Sequence, residues 1–421
     1  MKERVLCFIL TEKKNNGKIM WNYNGIMQGG QSVILEQVIG IIGGGQLGKM
    51  LILSAKKLGF KVIILDPVED CPAHSIADEH IIADFDNEKA IRELVEKCNV
   101  TTYEFEHINA DILIQLVEEG NVIYPSPNHL QMIQNKYTQK MFLQKQNIPI
   151  PAIQSISTME EAIAWGNARG YPIMIKKALG GYDGKGNFVY TNEHSLRQEL
   201  PSILKTSFAL FVEEWIDYQM EISILASRGK DGQIEVYPPV LNSHKDSILD
   251  ETIYPAGLSK ELEKKALKMA TKIMECFAGV GLFCMELFVC QDGQILVNEI
   301  APRTHNSGHY TMEACITSQF EQHLRAISGL PLGATEMRVP YAVMKNFIGP
   351  KDIQPKEVHY EGIEKVLTMK DVHLHIYGKK KIQAKRKMGH ITVCGEDKQE
   401  VLATARKAHR IIHQTLQEGE S

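Results

Sequence analysis

From residue 38 onward the apolar positions are laid out as strand, turn, helix and strand. Residues 38–42 form one apolar run and residues 61–65 another. Between them, Leu47, Met50, Leu51, Ser54, Ala55 and Leu58 recur at helical spacing, which predicts a helix over 46–58. Gly59 stands where a helix C-terminus takes a left-handed residue. Apolar runs at 100–103 and 122–124, separated by helical patterns at 88–97 and 111–119, continue the alternation. This order predicts a parallel α/β unit ending near Pro127.

A second unit begins after Pro149 and Pro151. Ser157 and Glu160 have capping-box spacing ahead of a helix running to Ala168 and closed by Gly170. Strands are predicted at 172–177, 208–214, 221–226 and 234–240, followed by a helix at 260–277. Two further apolar runs, 283–289 and 294–299, are joined by Asp292-Gly293, a strong hairpin signal. Past Leu332, strands at 342–347 and 373–377 and a helix at 398–417 suggest a smaller α+β closing domain. The expected domains are therefore 37–128, 129–335 with a lid at about 150–226, and 336–421. Residues 1–36 show no clear periodicity, hold Asn15-Asn16-Gly17 and Gly29-Gly30, and are expected to form an extension that is either disordered or an artefact of start-site choice.

A chain of 421 residues exceeds one core and suggests about three domains. A charged fraction of 23% and a net charge of -4 argue against nucleic-acid binding as its main role, so any phosphate site must be local. No apolar run approaches the roughly 18 residues a membrane span needs, and no secretory leader is evident, so a cytoplasmic protein is expected. The eight cysteines include no C-x-x-C pair and read as reduced thiols.

The candidate chemistry starts at the Asp-Gly hairpin. Pairing Gln291 with Gln294 and counting outward sets Glu286 opposite Glu299. Two facing carboxylates repel unless a cation lies between them. The segment beyond, 300–309, crowds Arg303, His305, Asn306 and His309 around a strand ended by Pro302. Upstream, four glycines in Gly180–Gly186 follow Lys176, a pairing suited to holding phosphates. The connector Glu213-Glu214-Trp215-Ile216 with Glu221 could serve an adenine edge and ribose hydroxyls. Near the N-terminus, Gly43, Gly45 and Gly48 satisfy G-x-G-x-x-G, with Asp66 closing the next strand. A dinucleotide, another phosphate ligand and simple tight packing all remain open for that turn. The basic run 378–390 reads either as a solvated face or as a phosphate monoester pocket.

Lysine, glycine lid, connector and paired glutamates, in that order, resemble the ATP-grasp superfamily, and within it the N5-carboxyaminoimidazole ribonucleotide synthetase family. The resemblance is carried by 43–50, 180–186, 298–309 and 386–390, and spans about 39–395. It implies an α/β and α+β ATP-grasp fold, with a Rossmann-like N-terminal domain that binds no NAD and a small C-terminal closing domain. The implied reaction is ATP-dependent carboxylation of aminoimidazole ribonucleotide with bicarbonate through carboxyphosphate. A formate-dependent glycinamide ribonucleotide transformylase is the nearest enzyme alternative.

By the same resemblance, Lys136 and Lys176 would contact ATP phosphates beneath Gly181, Tyr182, Asp183, Gly184, Lys185, Gly186 and Asn187. Glu213, Glu214, Trp215 and Ile216 would meet the adenine, Glu221 the ribose, and His244 and Asn298 the nucleotide side. Glu286 and Glu299 would hold Mg2+, with Mn2+ as a substitute. Many superfamily members carry an asparagine two residues after the second glutamate, but Ala301 stands there, leaving two carboxylates, ATP and water. Arg303, His305 and Asn306 would surround bicarbonate, and Lys379 with Arg386 the ribonucleotide phosphate. Glu104, or almost equally Glu106, would approach the substrate amine, with Tyr182 and Asp183 reaching the imidazole. His305 or Asp183 would accept the amine proton. A homodimer and a separate downstream mutase are also implied.

Overall fold

The computed structural model describes residues 11–15, 18–22, 37–181, 186–205 and 208–417. The chain divides into two compact units, Met1–Ile34 and Leu35–Ser421. In the first, Thr11–Asn15 pairs antiparallel with Lys18–Asn22, so a stretch expected to lack elements contains a hairpin. The sequence signal for it is Asn16-Gly17 between the two runs.

The second unit opens with a parallel sheet in the order Glu79–Ile81, Lys61–Leu65, Val38–Ile42, Val100–Tyr103. The run expected as a strand at 122–124 contributes only one bridge, Ile123 with Thr101. Helix Gln46–Lys57 buries Leu47, Met50, Leu51 and Ala55 from the face its periodicity predicted, and Ile52 beside them. That face also packs with Phe320, Leu324 and Ile327 of helix Gln319–Ser328, so the sheet's core is completed from far along the chain.

His323, on that helix, ties the N-terminal sheet to the central one. Its Nδ1 accepts from Leu282 N–H at 3.1 Å, and its Nε2 lies 2.8 Å from Thr102 Oγ1. Accepting at Nδ1 requires a neutral ring, and burial pulls its pKa down to about 3.

Two antiparallel sheets follow. The smaller runs Ile153–Ile156, Leu210–Glu214, Ile173–Lys177, Asn187–Tyr190. Helix Met159–Arg169 packs on it, and its capping box is Thr158 with Glu161, one residue beyond the expected pair. The larger sheet runs Ile295–Ala301, Gly281–Cys290, Tyr218–Arg228, Val240–Lys245, Ile248–Tyr254, Tyr341–Ile348, Lys387–Gly395, Val372–Ile376. The single strand expected at 234–240 is split, with Ile234–Val236 and Val240–Lys245 both pairing with Tyr218–Arg228. Ile248–Tyr254 was not anticipated. It follows a turn at Asp246 and Ser247, both at positive φ (50° and 65°), as a type I′ turn requires. Strands Tyr341–Ile348 and Lys387–Gly395 extend the same sheet, and helix Lys260–Phe277 covers its apolar face.

The Glu286–Glu299 pair exists, but the route to it differs from the sequence count. Cys290 N–H donates to Gln294 O and Gly293 N–H to Cys290 O, enclosing three loop residues with Gly293 at φ 78°. Val289 therefore pairs with Ile295 and Phe288 with Leu296, one residue off the expected register. A bulge then intervenes at Asn298, between Leu287 with Val297 and Glu286 with Glu299. The extra loop residue and the extra strand residue cancel, restoring the facing carboxylates.

Ile295–Ala301 is an edge strand, and helix Lys136–Lys145 closes it. Gln139 donates from Nε2 to Ile300 O at 3.0 Å and accepts Ile300 N–H at 3.1 Å, replacing a missing strand partner. Asn135 caps this helix by accepting Thr138 N–H, which fixes where Lys136 begins.

Gln139→Leu should lower unfolding free energy by about 2–4 kcal/mol, since it leaves a buried N–H and C=O without partners. Urea denaturation would measure this, and a loss below about 1 kcal/mol would contradict the edge-strand role. The pH dependence should carry the signature of His323. Its folded pKa of about 3 lies below the ordinary 6.5, so the unfolded chain binds the extra proton in that interval. Its contribution is complete above about pH 6.5 and is lost as pH falls towards 3. His323→Gln should flatten the stability slope between those limits, and an unchanged slope would refute the assignment.

Candidate active site

The two antiparallel sheets enclose a cleft of about 550 Å³. The smaller sheet and its connector supply Lys176, Glu213, Glu214, Trp215 and Ile216 to its lining. The larger sheet supplies Glu221, His244, Glu286, Asn298 and Glu299. Lys136, Gly181, Asn187, Arg303 and His305 also line it, so most of the residues singled out by sequence converge. Tyr182, Asp183, Gly184 and Lys185 lie outside the described residues.

At the carboxylate end, Glu299, Glu286 and Ser223 are register partners across three neighbouring strands. Burial and the nearby Glu221 and Glu299 charges push the Glu286 carboxyl up to about 7. Glu299 accepts from Lys136 Nζ at 2.9 Å. Withdrawal from water would raise its pKa, but the charges of Lys136, Lys176 and Lys140 hold it below the usual carboxylate value. His244 Nδ1 lies 3.2 Å from Glu221. Burial opposes protonation there, but Glu221 prevails and raises the His244 pKa.

His305 faces Glu286 with Nε2 3.5 Å from Oε1. Burial, followed by the charge of Arg303, lowers its pKa well below the ordinary imidazole value. Arg303 pairs with Glu106 at 2.8 Å, and its buried Nε has no acceptor among the described residues. An N–H left in that state is a ready donor for an anion.

The end of the cleft around Lys176 has a feature that sequence reasoning missed. Glu213 is 3% exposed, and its carboxylate is shared between Lys176 and Lys140. Its side chain is therefore committed to holding two ammonium groups. Burial pulls Lys140 down to about 8, against the raising influence of Glu213. The signal for Lys140 was its position four residues after Lys136, on the same helix face. Beyond this chain, Tyr218 stacks on Phe288 with ring centroids 4.4 Å apart, and both line the cleft. Trp215 is 43% exposed, leaving an aromatic surface open at the connector.

The N-terminal glycine turn is filled from within. Gly44 N–H donates to Asp66 Oδ2 at 2.7 Å, while Gly45 and Gly48 N–H groups donate to Glu104. These are the groups a pyrophosphate would need. Burial raises the Glu104 pKa, partly offset by those N–H bonds. A side chain at Gly45 would place its Cβ 2.6 Å from Glu104 Oε1, so the glycine spacing serves this carboxylate. Glu104 does not line the cleft, whereas Glu106 does. Of the two, Glu106 is the one that lines the cleft, paired with Arg303.

Three other expected residues lie outside the cleft lining. Asn306 is 7% exposed and exchanges reciprocal amide hydrogen bonds with Asn346, at 3.0 and 2.7 Å, so its side chain braces the sheet and does not line the cleft. Lys379 donates to Lys387 O at 2.8 Å, with a field that reaches Glu104, and also lies outside the cleft lining. Arg386 donates to Lys381 O at 3.1 Å and is half-buried. Lys387, not singled out by sequence, is the basic-run residue that lines the cleft.

A cleft between two antiparallel sheets, with Lys176 on one and the facing carboxylates Glu286 and Glu299 on the other, is the arrangement of an ATP-grasp ligase. Residues 141–320 match the ATP-grasp domain model, 36–134 the ribonucleotide synthetase preATP-grasp domain, and 342–404 the phosphoribosylaminoimidazole carboxylase C-terminal domain. The N5-carboxyaminoimidazole ribonucleotide synthase of Bacillus subtilis (strain 168) is 40% identical over 356 residues, covering 84% of this chain and 90% of the relative. The crystal structure of N5-carboxyaminoimidazole ribonucleotide synthetase from Thermotoga maritima shares 42% identity with a TM-score of 0.80, covering 89% of this chain and 98% of that one. A structure of the Aspergillus clavatus enzyme in complex with ADP and 5-aminoimidazole ribonucleotide has a TM-score of 0.80 at 32% identity, covering 90% and 99%. The chain belongs to the N5-carboxyaminoimidazole ribonucleotide synthetase family.

Lys140→Met should leave Glu213 with a single cation, lowering stability by about 3 kcal/mol and raising the apparent KM for ATP. Denaturation and ATP titration would measure both. An unchanged KM would show that Lys140 does not act through Lys176.

Proposed function

We propose that the chain carboxylates 5-aminoimidazole ribonucleotide, using ATP and bicarbonate, to give N5-carboxyaminoimidazole ribonucleotide, ADP and phosphate. The observation that carries this reading is the facing pair Glu286 and Glu299, with Lys136 on one side and Arg303 and His305 on the other. That arrangement supports a nucleotide-phosphate end beside an anion-binding end. The reading draws support from the related Aspergillus clavatus structures, one complexed with ATP and one with ADP and 5-aminoimidazole ribonucleotide.

The donor set suits a hard divalent cation. Glu286 and Glu299 present carboxylate oxygens, and Glu286 is pushed up to about 7 by burial and neighbouring negative charge, a strain that a cation between them would relieve. Mg2+, or Mn2+ in its place, would be held by these two side chains. When bound, it would neutralise charge on the transferring phosphoryl group.

Lys136 and Lys176 would grip the ATP phosphates, with Glu213 and Lys140 fixing Lys176. Arg303 would orient bicarbonate through its unpaired Nε while Glu106 holds the guanidinium. A bicarbonate oxygen attacks the γ-phosphorus as the bond to ADP breaks, giving carboxyphosphate. Its C–O bond then breaks to free carbon dioxide and phosphate, and the substrate amine forms the new N–C bond. Gly181 and Asn187 flank the segment expected to close over the phosphates, which would exclude water from carboxyphosphate.

For the ribonucleotide phosphate, Lys379 and Arg386 remain part of the reading by family resemblance, and Lys387 is the nearest basic addition. The same resemblance supports a homodimer in the cytoplasm that passes its product to a separate mutase. Among the described residues no helix is long and apolar enough to cross a membrane.

Phosphate release from ATP by the purified chain should require both aminoimidazole ribonucleotide and magnesium, should rise with bicarbonate, and should stop on chelation. Stimulation by formate and glycinamide ribonucleotide, with none by aminoimidazole ribonucleotide, would overturn the assignment.

A further inference from the structure

We infer that Ser307, itself oriented by Ser223, is a positioning residue that sets His305 in the Nε2–H tautomer, so that the imidazole serves bicarbonate as a hydrogen-bond donor and not as the base. The inference rests on the function proposed above for its ligand, but its structural part does not.

The backbone N–H of Ser307 donates to His305 Nδ1 at 3.3 Å, which requires a bare nitrogen there. The Ser307 hydroxyl lies 2.9 Å from the same Nδ1. With Nδ1 unprotonated, the one hydroxyl proton of Ser307 must point towards it, so Ser307 Oγ is left to accept. Ser223 Oγ, 2.8 Å away, supplies that donor. Both serines are buried, at 1% and 0% exposure, so water does not compete for these bonds. A neutral ring with a bare Nδ1 carries its hydrogen on Nε2. That atom faces Glu286 on the cleft wall.

The backbone is fixed just as firmly. Gln319 accepts His305 N–H at 2.9 Å and donates to His305 O at 2.7 Å, so one side-chain amide holds both faces of the residue. Ser223 reaches the relay because its strand register sets it beside Glu286. The metal-binding strand and the imidazole's orientation are thus set by one row of the sheet.

A neutral N–H is the donor this position calls for. Arg303 already brings a full positive charge to the acceptor end, and a second would repel it. A fixed N–H adds a directed bond to bicarbonate or carboxyphosphate without that repulsion. With hydrogen already on the cleft-facing nitrogen, His305 has no lone pair there for the amine proton. When the N–C bond forms, that proton leaves on the phosphate freed from carboxyphosphate, whose oxygens are basic.

The test uses the full chain labelled with 15N-histidine, ligand-free and at neutral pH, with His305→Gln to assign the resonances. His305 should show an unprotonated Nδ1 and a protonated Nε2. Ser307→Ala should shift the Nδ1 and Nε2 signals towards a tautomer mixture and raise the KM for bicarbonate about tenfold, the loss of one directed hydrogen bond, with the KM for ATP changed less than about twofold. Ser223→Ala should move both readouts in the same direction by a smaller factor, and it covers the case in which Ser307→Ala fails to fold. A protonated Nδ1 in the unsubstituted chain would overturn the inference. So would variants that leave the tautomer and the bicarbonate KM unchanged. If the tautomer is as expected but aminoimidazole ribonucleotide never stimulates turnover, the proposed function fails and the orientation of His305 stands.

Discussion

Two like charges held face to face organise this molecule. Glu286 and Glu299 are fixed by antiparallel register, and the bulge at Asn298 keeps them opposed despite the three-residue turn. Because the backbone leaves neither free to move away, the repulsion has to be answered by what surrounds them. Lys136 answers from one side, on a helix that Gln139 clamps to the same strand. His244 and Arg303 contribute from the others, and Glu286 still sits at about 7. A site so arranged favours the arrival of a cation carrying phosphate.

The same logic recurs with internal anions. Glu213 holds Lys176 and Lys140, Glu106 holds Arg303, and Glu104 satisfies the glycine-turn N–H groups. In each case a donor that could serve a ligand is kept oriented by the chain's own carboxylate. The distinction lies in access. Glu213 and Glu106 line the cleft together with Lys176 and Arg303, whereas Glu104 is buried against the turn and closes it. A glycine fingerprint that reads as a dinucleotide site has its N–H groups bonded here to the chain's own Asp66 and Glu104.

No one segment owns the site. Helix Gln319–Ser328 completes the N-terminal core, bridges two sheets through His323 and fixes the His305 backbone through Gln319. The C-terminal strands extend the central sheet and bring Asn346 to brace Asn306. Local substitutions in these elements can therefore reach the chemistry without touching a ligand.

What the sequence determined by itself was the order of elements and the kinds of chemistry they carry. Strands 38–42, 61–65 and 100–103 and the helices at 88–97 and 260–277 were legible because burial of one face imposes a period on neighbouring residues. The lysine, glycine segment, connector and paired glutamates were legible because each lies in a short run. Tertiary structure alone decided which side chains those groups meet. The three-residue turn and the bulge at Asn298 cancel only in the assembled hairpin, and Glu213 turns to lysines 37 and 73 positions away. Ser223 reaches Ser307 over 84 residues, through a register that no local pattern records. Periodicity reports which face of an element is buried, whereas hydrogen-bond partners depend on which elements are brought side by side.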